Sequence, residues 1–301
     1  MTGIVAKSTG KLYKVWLDSN EEVEASLKGG LRLLDIKSTN PVAVGDIVEL
    51  EHNNSGEYMI ARIKERTNYI IRKSINLSKQ THILASNIDL AVLVISLVAP
   101  RTSAGFIDRF LVTAEAYHIP TLLVFNKVDL YGEIEAAQDF ISAYQYLGYD
   151  VIQTSVISKV GLNQLKEFLK SGNVLFSGHS GVGKSTLLNE LDPTLKLKTG
   201  QISAAHLKGK HTTTFAEMFH TSLGARLIDT PGIKELGLVD IDKHELRSYF
   251  PEFRELNNRC KFNNCIHVNE PGCAVQAAVE TDPDKYFRYT SYIKMLEECI
   301  S

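Results

Sequence analysis

Gly178-His179-Ser180-Gly181-Val182-Gly183-Lys184-Ser185 fits the spacing GxxxxGK[ST], a pattern suited to holding a polyphosphate. Its glycines let the backbone turn tightly enough for successive amide N–H groups, and the N-terminus of a following helix, to point at phosphate oxygens. Lys184 is placed to reach β- and γ-phosphates, Ser185 offers its hydroxyl to Mg²⁺ carried by a nucleoside triphosphate, and Thr186 continues the cradle. Asn126-Lys127-Val128-Asp129, an NKxD tetrad, has the chemistry of base reading. The Asp129 carboxylate can accept from both the ring N–H and the exocyclic amine of guanine, a donor pair that adenine lacks. Asn126 can tie this loop to the phosphate loop, and the Lys127 stem can cover a ring face. Alone, the tetrad is an ordinary polar loop; beside a phosphate loop it becomes specific.

Two further segments suit the same ligand. Asp229-Thr230-Pro231-Gly232 fits DxxG, in which Asp229 binds Mg²⁺ through its water shell and the Gly232 amide senses a γ-phosphate. His211-Thr212-Thr213-Thr214 offers a hydroxyl to Mg²⁺, with Thr213 the chosen ligand, in a segment ordered by the triphosphate. A separate chemistry lies near the C-terminus. Cys260, Cys265, His267 and Cys273 are spaced C-x₄-C-x-H-x₅-C, a tetrahedral donor set for one structural Zn²⁺ with no open catalytic position. Cys299 falls outside it.

The elements that must position these groups follow from periodicity. Asn173–Ser177 is an apolar run leading into the phosphate loop, and residues 186–191 read as the helix leading out. Residues 90–96 and 121–125 are near-continuous apolar runs, as in a parallel sheet buried on both faces. Helices are expected over 106–118, 134–147 and 162–169, and strands over 150–153, 215–220 and 225–228. Before residue 70, short strands are expected at 3–7, 12–17, 22–27, 46–50 and 58–63, separated by turn residues. About five strands in seventy residues suit a small closed barrel of the oligonucleotide-binding type. Between Arg66 and Ile88 there is no acidic residue, while Arg66, Arg72, Lys73 and Lys79 are basic; this joint is either a phosphate-facing run or a solvated linker. A second acid-free stretch, 194–214, carries Lys196, Lys198, Lys208 and Lys210. After Cys-rich residues and before them, helices are expected at 243–250, 274–280 and 285–299.

Composition sets the outer bounds. The 301 residues, 44% hydrophobic and 23% charged, describe an ordinary globular protein with room for two or three domains. A formal net charge of −2 gives no global argument for nucleic acid. No apolar run approaches a membrane span and the N-terminus lacks a signal pattern, so a cytoplasmic monomer without a membrane partner is expected. Three of the four cysteines crowd one stretch, which favours a metal site over a disulfide framework.

The pieces are those of a translation-factor-type GTPase in an unusual order, with NKVD before the phosphate loop, the threonine segment and DTPG. A circular permutation accounts for this, since termini can move when the old ends lie close together. In that motif order, and in GHSGVGKS, KGKHTTT and the C-terminal cysteines, nearly the whole chain resembles the bacterial ribosome small subunit-dependent GTPase A family. The resemblance implies an α/β fold of three parts: an OB-type β-barrel over 1–70, a circularly permuted P-loop GTPase domain over 71–237, and a small helical zinc domain over 238–301. It also implies a late-acting assembly factor that binds GTP and GDP with Mg²⁺, contacts the small ribosomal subunit and its rRNA, and hydrolyses GTP faster there. In GTPases, Thr154 and Ser155 occupy the place of the loop that contacts the guanine carbonyl. Ile233 stands after Gly232 where many GTPases carry the glutamine that orients attacking water, so His179, His211 or the ribosome must supply that role. Two other readings are a nucleotide-gated RNA-binding module with incidental hydrolysis and an ATP-dependent kinase; NKVD argues against the latter.

Overall fold

The computed structural model describes residues 1–9, 12–19, 21–29, 41–73, 81–134, 136–197, 216–229, 238 and 241–300. Thr213, His211, Gly232, Ile233 and most of the basic stretch after Lys196 lie outside the described residues.

Five strands close a barrel: β1 (Thr2–Ser8), β2 (Leu12–Leu17), β3 (Glu22–Leu27), β4 (Ile47–His52) and β5 (Tyr58–Ile63). Alternate residues point inward, as the period of two requires, so Val5, Tyr13, Val15, Val23, Ala25, Val48 and Ile60 share one core. The order is β1-β2-β3-β5-β4, and β4 returns to pair with β1, which closes the sheet on itself. Asp46, expected to open the fourth strand, instead lies just before it and is fully buried. It accepts from Arg66 Nε at 2.6 Å and Nη2 at 2.7 Å, and from Ser86 Oγ at 2.6 Å. Arg66 is therefore spent on an internal ion pair and leaves the phosphate-facing run proposed for 66–88. That stretch is no simple linker either, because β6 (Tyr69–Lys73) and β7 (Thr81–Ser86) pair there as an antiparallel ribbon.

The next sheet is assembled from β8 (Leu90–Ile95), β9 (Thr121–Asn126), β10 (Asp150–Thr154), β11 (Asn173–Ser177), β12 (Glu217–His220) and β13 (Arg226–Asp229) in the order β10-β9-β8-β11-β13-β12. All neighbours are parallel except β12 against β13. Alternation sorts each buried strand between two layers. Leu93, Ile95, Leu123 and Phe125 pack on α1 (Ala104–Ala116) and α2 (Ala137–Tyr146). Val92, Val94, Val124, Val174 and Phe176 pack on α3 (Leu162–Glu167) and α4 (Lys184–Leu191). The chain runs outward from β8 through β9 to β10, then returns to β11 on the other side of β8. This reversal between β8 and β11 is a topological switch point, where α/β sheets open a ligand crevice at the carboxyl ends of the strands. The barrel joins this sheet through β1 and β12, with Lys7 opposite Glu217 and the Trp16 ring stacked 3.7 Å from His220.

The C-terminal part is helical: α5 (Pro251–Asn257), α6 (Ala274–Thr281) and α7 (Tyr289–Ile300). The helix expected over 243–250 is a turn followed by a short 3₁₀ segment, Leu246–Tyr249. Pro251 explains the difference, since it disfavours helical backbone at Phe250, which is extended at φ −110°, and itself starts α5 at the first helical position. Phe250, Phe253, Tyr292, Met295 and Leu296 form the core of this part, and Val112 of α1 enters it. No helix among the described residues is long and apolar enough to cross a membrane.

Candidate functional site

Three loops meet at the switch point. The phosphate loop leaves β11 with Gly178, Gly181 and Gly183 at φ +140°, +84° and +99°, a region side chains rarely adopt. At Gly183 a Cβ would lie 2.6 Å from Asn126 Nδ2, so the loop also needs glycine there for contact with its neighbour. Asn126 ends β9, buried, and its Nδ2 donates to Val182 O at 2.9 Å while Thr154 Oγ1 donates to its Oδ1 at 3.0 Å. Lys127, at φ +66°, donates from Nζ to Gly181 O at 2.8 Å and to Ala99 O at 2.9 Å in the loop after β8. Tyr131, unforeseen from the sequence, accepts from Leu97 N–H at 3.0 Å and donates to Asn126 O at 2.8 Å, which fixes the same junction. The NKVD tetrad and the phosphate loop are thus one bonded unit.

Asp129 is exposed at the start of a 3₁₀ segment, Val128–Glu133. Ser155 Oγ donates to its Oδ1 at 2.5 Å, and Ser158 N–H donates to Ser155 Oγ at 3.0 Å, so the β10 loop sets the plane of the carboxylate. Thr154 and Ser155 are both buried. Lys184 and Ser185 are buried at the first turn of α4, Lys184 Nζ donating to Gly178 O at 2.5 Å and His179 O at 2.8 Å; Thr186 beside them is exposed. Ser180 lies on the half-exposed turn, and the His179 ring rests on Phe106 of α1 with centroids 4.0 Å apart. Asp229 ends β13 beside Lys184, lining the same small cavity. Burial pushes its carboxyl up to about 6, opposed by the Lys184 charge and reinforced by Glu217. A buried carboxyl with a raised pKa is ionised again by a nearby positive charge, whether the Lys184 ammonium or a cation held through water.

The sulfurs and imidazole nitrogen of Cys260, Cys265, His267 and Cys273 all lie within 4.8 Å of one another. His267 Nδ1 faces Cys273 Sγ at 3.3 Å and Cys260 Sγ at 3.6 Å. Its Nε2 lies 2.9 Å from Asn257 Oδ1, an acceptor that requires the proton on Nε2 and leaves the Nδ1 lone pair for a metal. Burial and the Arg247 charge lower the imidazole to about 4, keeping it in the neutral, ligating form. Burial pushes the Cys265 thiol up to about 12, so a dication is what would draw off its proton. Glu270 was not singled out from sequence. Burial alone would raise its pKa, but donors at Ile266, Val268 and Asn269 hold it low, and it pins the ligand loop at 2.7, 2.9 and 3.1 Å. Asn257 was missed too, because it sits on α5 outside the cysteine spacing. The donor set and its supports fit one tetrahedral Zn²⁺.

Known proteins share this architecture. A family model described as RsgA GTPase matches residues 63–239. "Small ribosomal subunit biogenesis GTPase RsgA" of Flavobacterium psychrophilum is 51% identical over 99% of this chain and 93% of its own length. The protein of the same name from Bacteroides fragilis is 50% identical over 99% of this chain and 97% of its own. Among solved structures, YjeQ from Thermotoga maritima superposes with a TM-score of 0.80 at 34% identity, covering 100% of this chain and 98% of that one. YloQ, described as a circularly permuted GTPase, superposes with a TM-score of 0.73 at 33% identity, covering 99% and 94%. With a closed five-stranded barrel, a permuted P-loop domain and a Cys₃His cluster, the chain belongs to the RsgA GTPase family.

Proposed function

We propose that the chain is a GTP hydrolase of small ribosomal subunit biogenesis, which binds the subunit and its rRNA in the GTP state and leaves after subunit-stimulated hydrolysis. The observation that carries this is the bonding of the base-reading tetrad to the phosphate loop through Asn126 and Lys127, which makes guanine and polyphosphate parts of one ligand. In this reading Asp129 accepts from guanine, the Lys127 stem covers the base, and the Thr154–Ser155 backbone meets the guanine carbonyl. Lys184 exchanges its loop carbonyls for β- and γ-phosphate oxygens, and the amides of 178–186 cradle the chain of phosphates. Ser185 and Thr213 would hold Mg²⁺ through their hydroxyls and Asp229 through its water shell, and the ion would supply positive charge to the phosphates. The Gly232 amide senses the γ-phosphate. Ile233 cannot orient water, which leaves His179, His211 or the small subunit for that task.

The partner follows from the relatives, whose printed names place them in small-subunit biogenesis. We assign the barrel, 1–70, and the zinc domain, 238–301, to contact with the subunit, and 71–237 to nucleotide chemistry in the cytoplasm. By linkage, a nucleotide shifts subunit binding only as far as its affinity differs between free and bound protein. Co-sedimentation with small subunits in a non-hydrolysable GTP analogue, GDP or no nucleotide is the test. Retention with the analogue and loss with GDP are expected; equal retention in all three states contradicts nucleotide-timed release.

A further inference from the structure

Helix α1 touches the phosphate loop at one end and is gripped by the C-terminal domain along the rest of its length. In its first turn, Phe106 packs against the His179 ring at 4.0 Å with 34° between planes. Just beyond, buried Asp108 accepts from Arg288 Nε at 2.8 Å and from Ser291 Oγ, both C-terminal, and from Tyr144 at 3.1 Å. Arg109 makes a two-pronged pair with Glu298 at 2.6 and 2.5 Å. Val112 is part of the C-terminal core, and Glu115 pairs with Arg254 at 2.5 Å. Asp108, Arg109, Val112 and Glu115 follow helical spacing and present one face to α5 and α7, while Phe106 precedes them on the phosphate-loop side.

We infer that Phe106 is a positioning residue for His179, and that the C-terminal domain sets where that imidazole stands by holding α1. The inference deepens the GTPase reading and rests on it. Its physical basis is stiffness. A helix of thirteen residues spans about 20 Å and its hydrogen-bonded backbone does not bend under side-chain loads, so a shift of the grip at Arg288 and Glu298 moves Phe106 with it. The His179 ring meets a side chain carried by another element as well as the phosphate-loop backbone that bears it. Contact of the C-terminal domain with a partner therefore reaches the mouth of the phosphate loop through α1, in addition to the covalent route from Asp229 onward. Shared intermediates of this kind are read as non-additive pairs in double-mutant cycles.

The test uses the full chain and two readouts, GTP turnover and the ring-proton resonances of His179 by NMR. Glu298→Gln removes the charge and one of the two acceptors at the half-exposed end of the grip without opening a core. It should move the His179 resonance and lower kcat by about threefold with KM for GTP within about twofold. Phe106→Ala should lower kcat by about tenfold, change the pH profile of kcat between about pH 6 and 7 where imidazole titrates, and abolish the response to Glu298→Gln. Phe106→Leu should restore most of the rate. An unmoved His179 resonance in Glu298→Gln, or multiplicative effects of the two substitutions, overturns the inference. Absence of GTP turnover in the wild type would overturn the GTPase reading instead, and the resonance would still decide whether α1 positions the ring.

Discussion

Replacing Arg288 with Met should loosen the hold of the C-terminal domain on α1, and the structure sets the size of the effect. Arg288 is fully buried, with Nε on Asp108 at 2.8 Å, Nη1 on Glu252 at 3.1 Å and Tyr149 at 3.2 Å, and the guanidinium over the Phe250 ring at 4.7 Å. Two buried carboxylates share this one cation, so burial raises both while their combined charge keeps Arg288 protonated. Methionine fills much of the volume but leaves the carboxylates unpaired, and breaking a buried pair from one side costs about 3–5 kcal/mol. At roughly 2–4 °C per kcal/mol for a unit of this size, the melting temperature should fall by about 6–20 °C. The deficit should depend on pH in a defined direction. Raised carboxylates hold protons in the folded state at pH values where the unfolded chain, with pKa values near 4, has released them. Their contribution is full below about pH 4 and is lost as pH rises through the folded values. Without Arg288 that rise is larger, so the gap between variant and wild type should narrow as pH falls from 8 to 5. Urea melts of both proteins across that range measure it. A gap below about 1 kcal/mol at pH 7, or one that widens on acidification, would refute the reasoning.

Other expectations follow from single contacts. Asp129→Asn keeps an oxygen for Ser155 but loses the charged acceptor of two guanine donors, so GTP affinity should drop by roughly a hundredfold or more while xanthine nucleotides gain, as nucleotide titration would show. Gly183→Ala places a Cβ 2.6 Å from Asn126 Nδ2 at φ +99°, a strain of about 1–3 kcal/mol that should weaken nucleotide binding roughly fivefold to hundredfold with the C-terminal fold intact. Metal analysis of protein purified without added zinc should find one Zn²⁺ per chain, and a strong chelator should unfold the C-terminal helices first by circular dichroism, because binding energy at such a site is folding energy.

The GxxxxGK[ST] loop, the NKVD loop bonded to it and the Cys₃His cluster were legible in the sequence as groups because each rests on residue types at short, fixed spacing. The buried strands β8, β9 and β11 were legible because parallel strands covered on both faces are continuous apolar runs. What escaped were pairings between distant residues. Asp108, Glu252 and Arg288 look like ordinary surface charges until α7 packs on α1. Arg66 looked like part of a basic run, yet Asp46 claims it from twenty positions away. The β6–β7 ribbon was hidden because Tyr69–Lys73 ends in two basic residues and lacks an alternating polar face. Pro251 marked the start of α5 plainly, but the apolar residues before it invited a helix one element too early. Asn257 and Tyr131 hold His267 and Asn126 from outside the motifs, and no motif spacing points to a supporting residue of that kind.

Single-turnover hydrolysis by the purified full chain, with GTP or ATP and with or without small ribosomal subunits, tests the central claim most directly. Turnover of GTP but not ATP is predicted, rising by at least about a hundredfold when subunits are added, a conservative fraction of the roughly 10³–10⁵ that a partner supplies to a GTPase. ATP hydrolysed as fast as GTP, or a GTP rate indifferent to subunits, would contradict it.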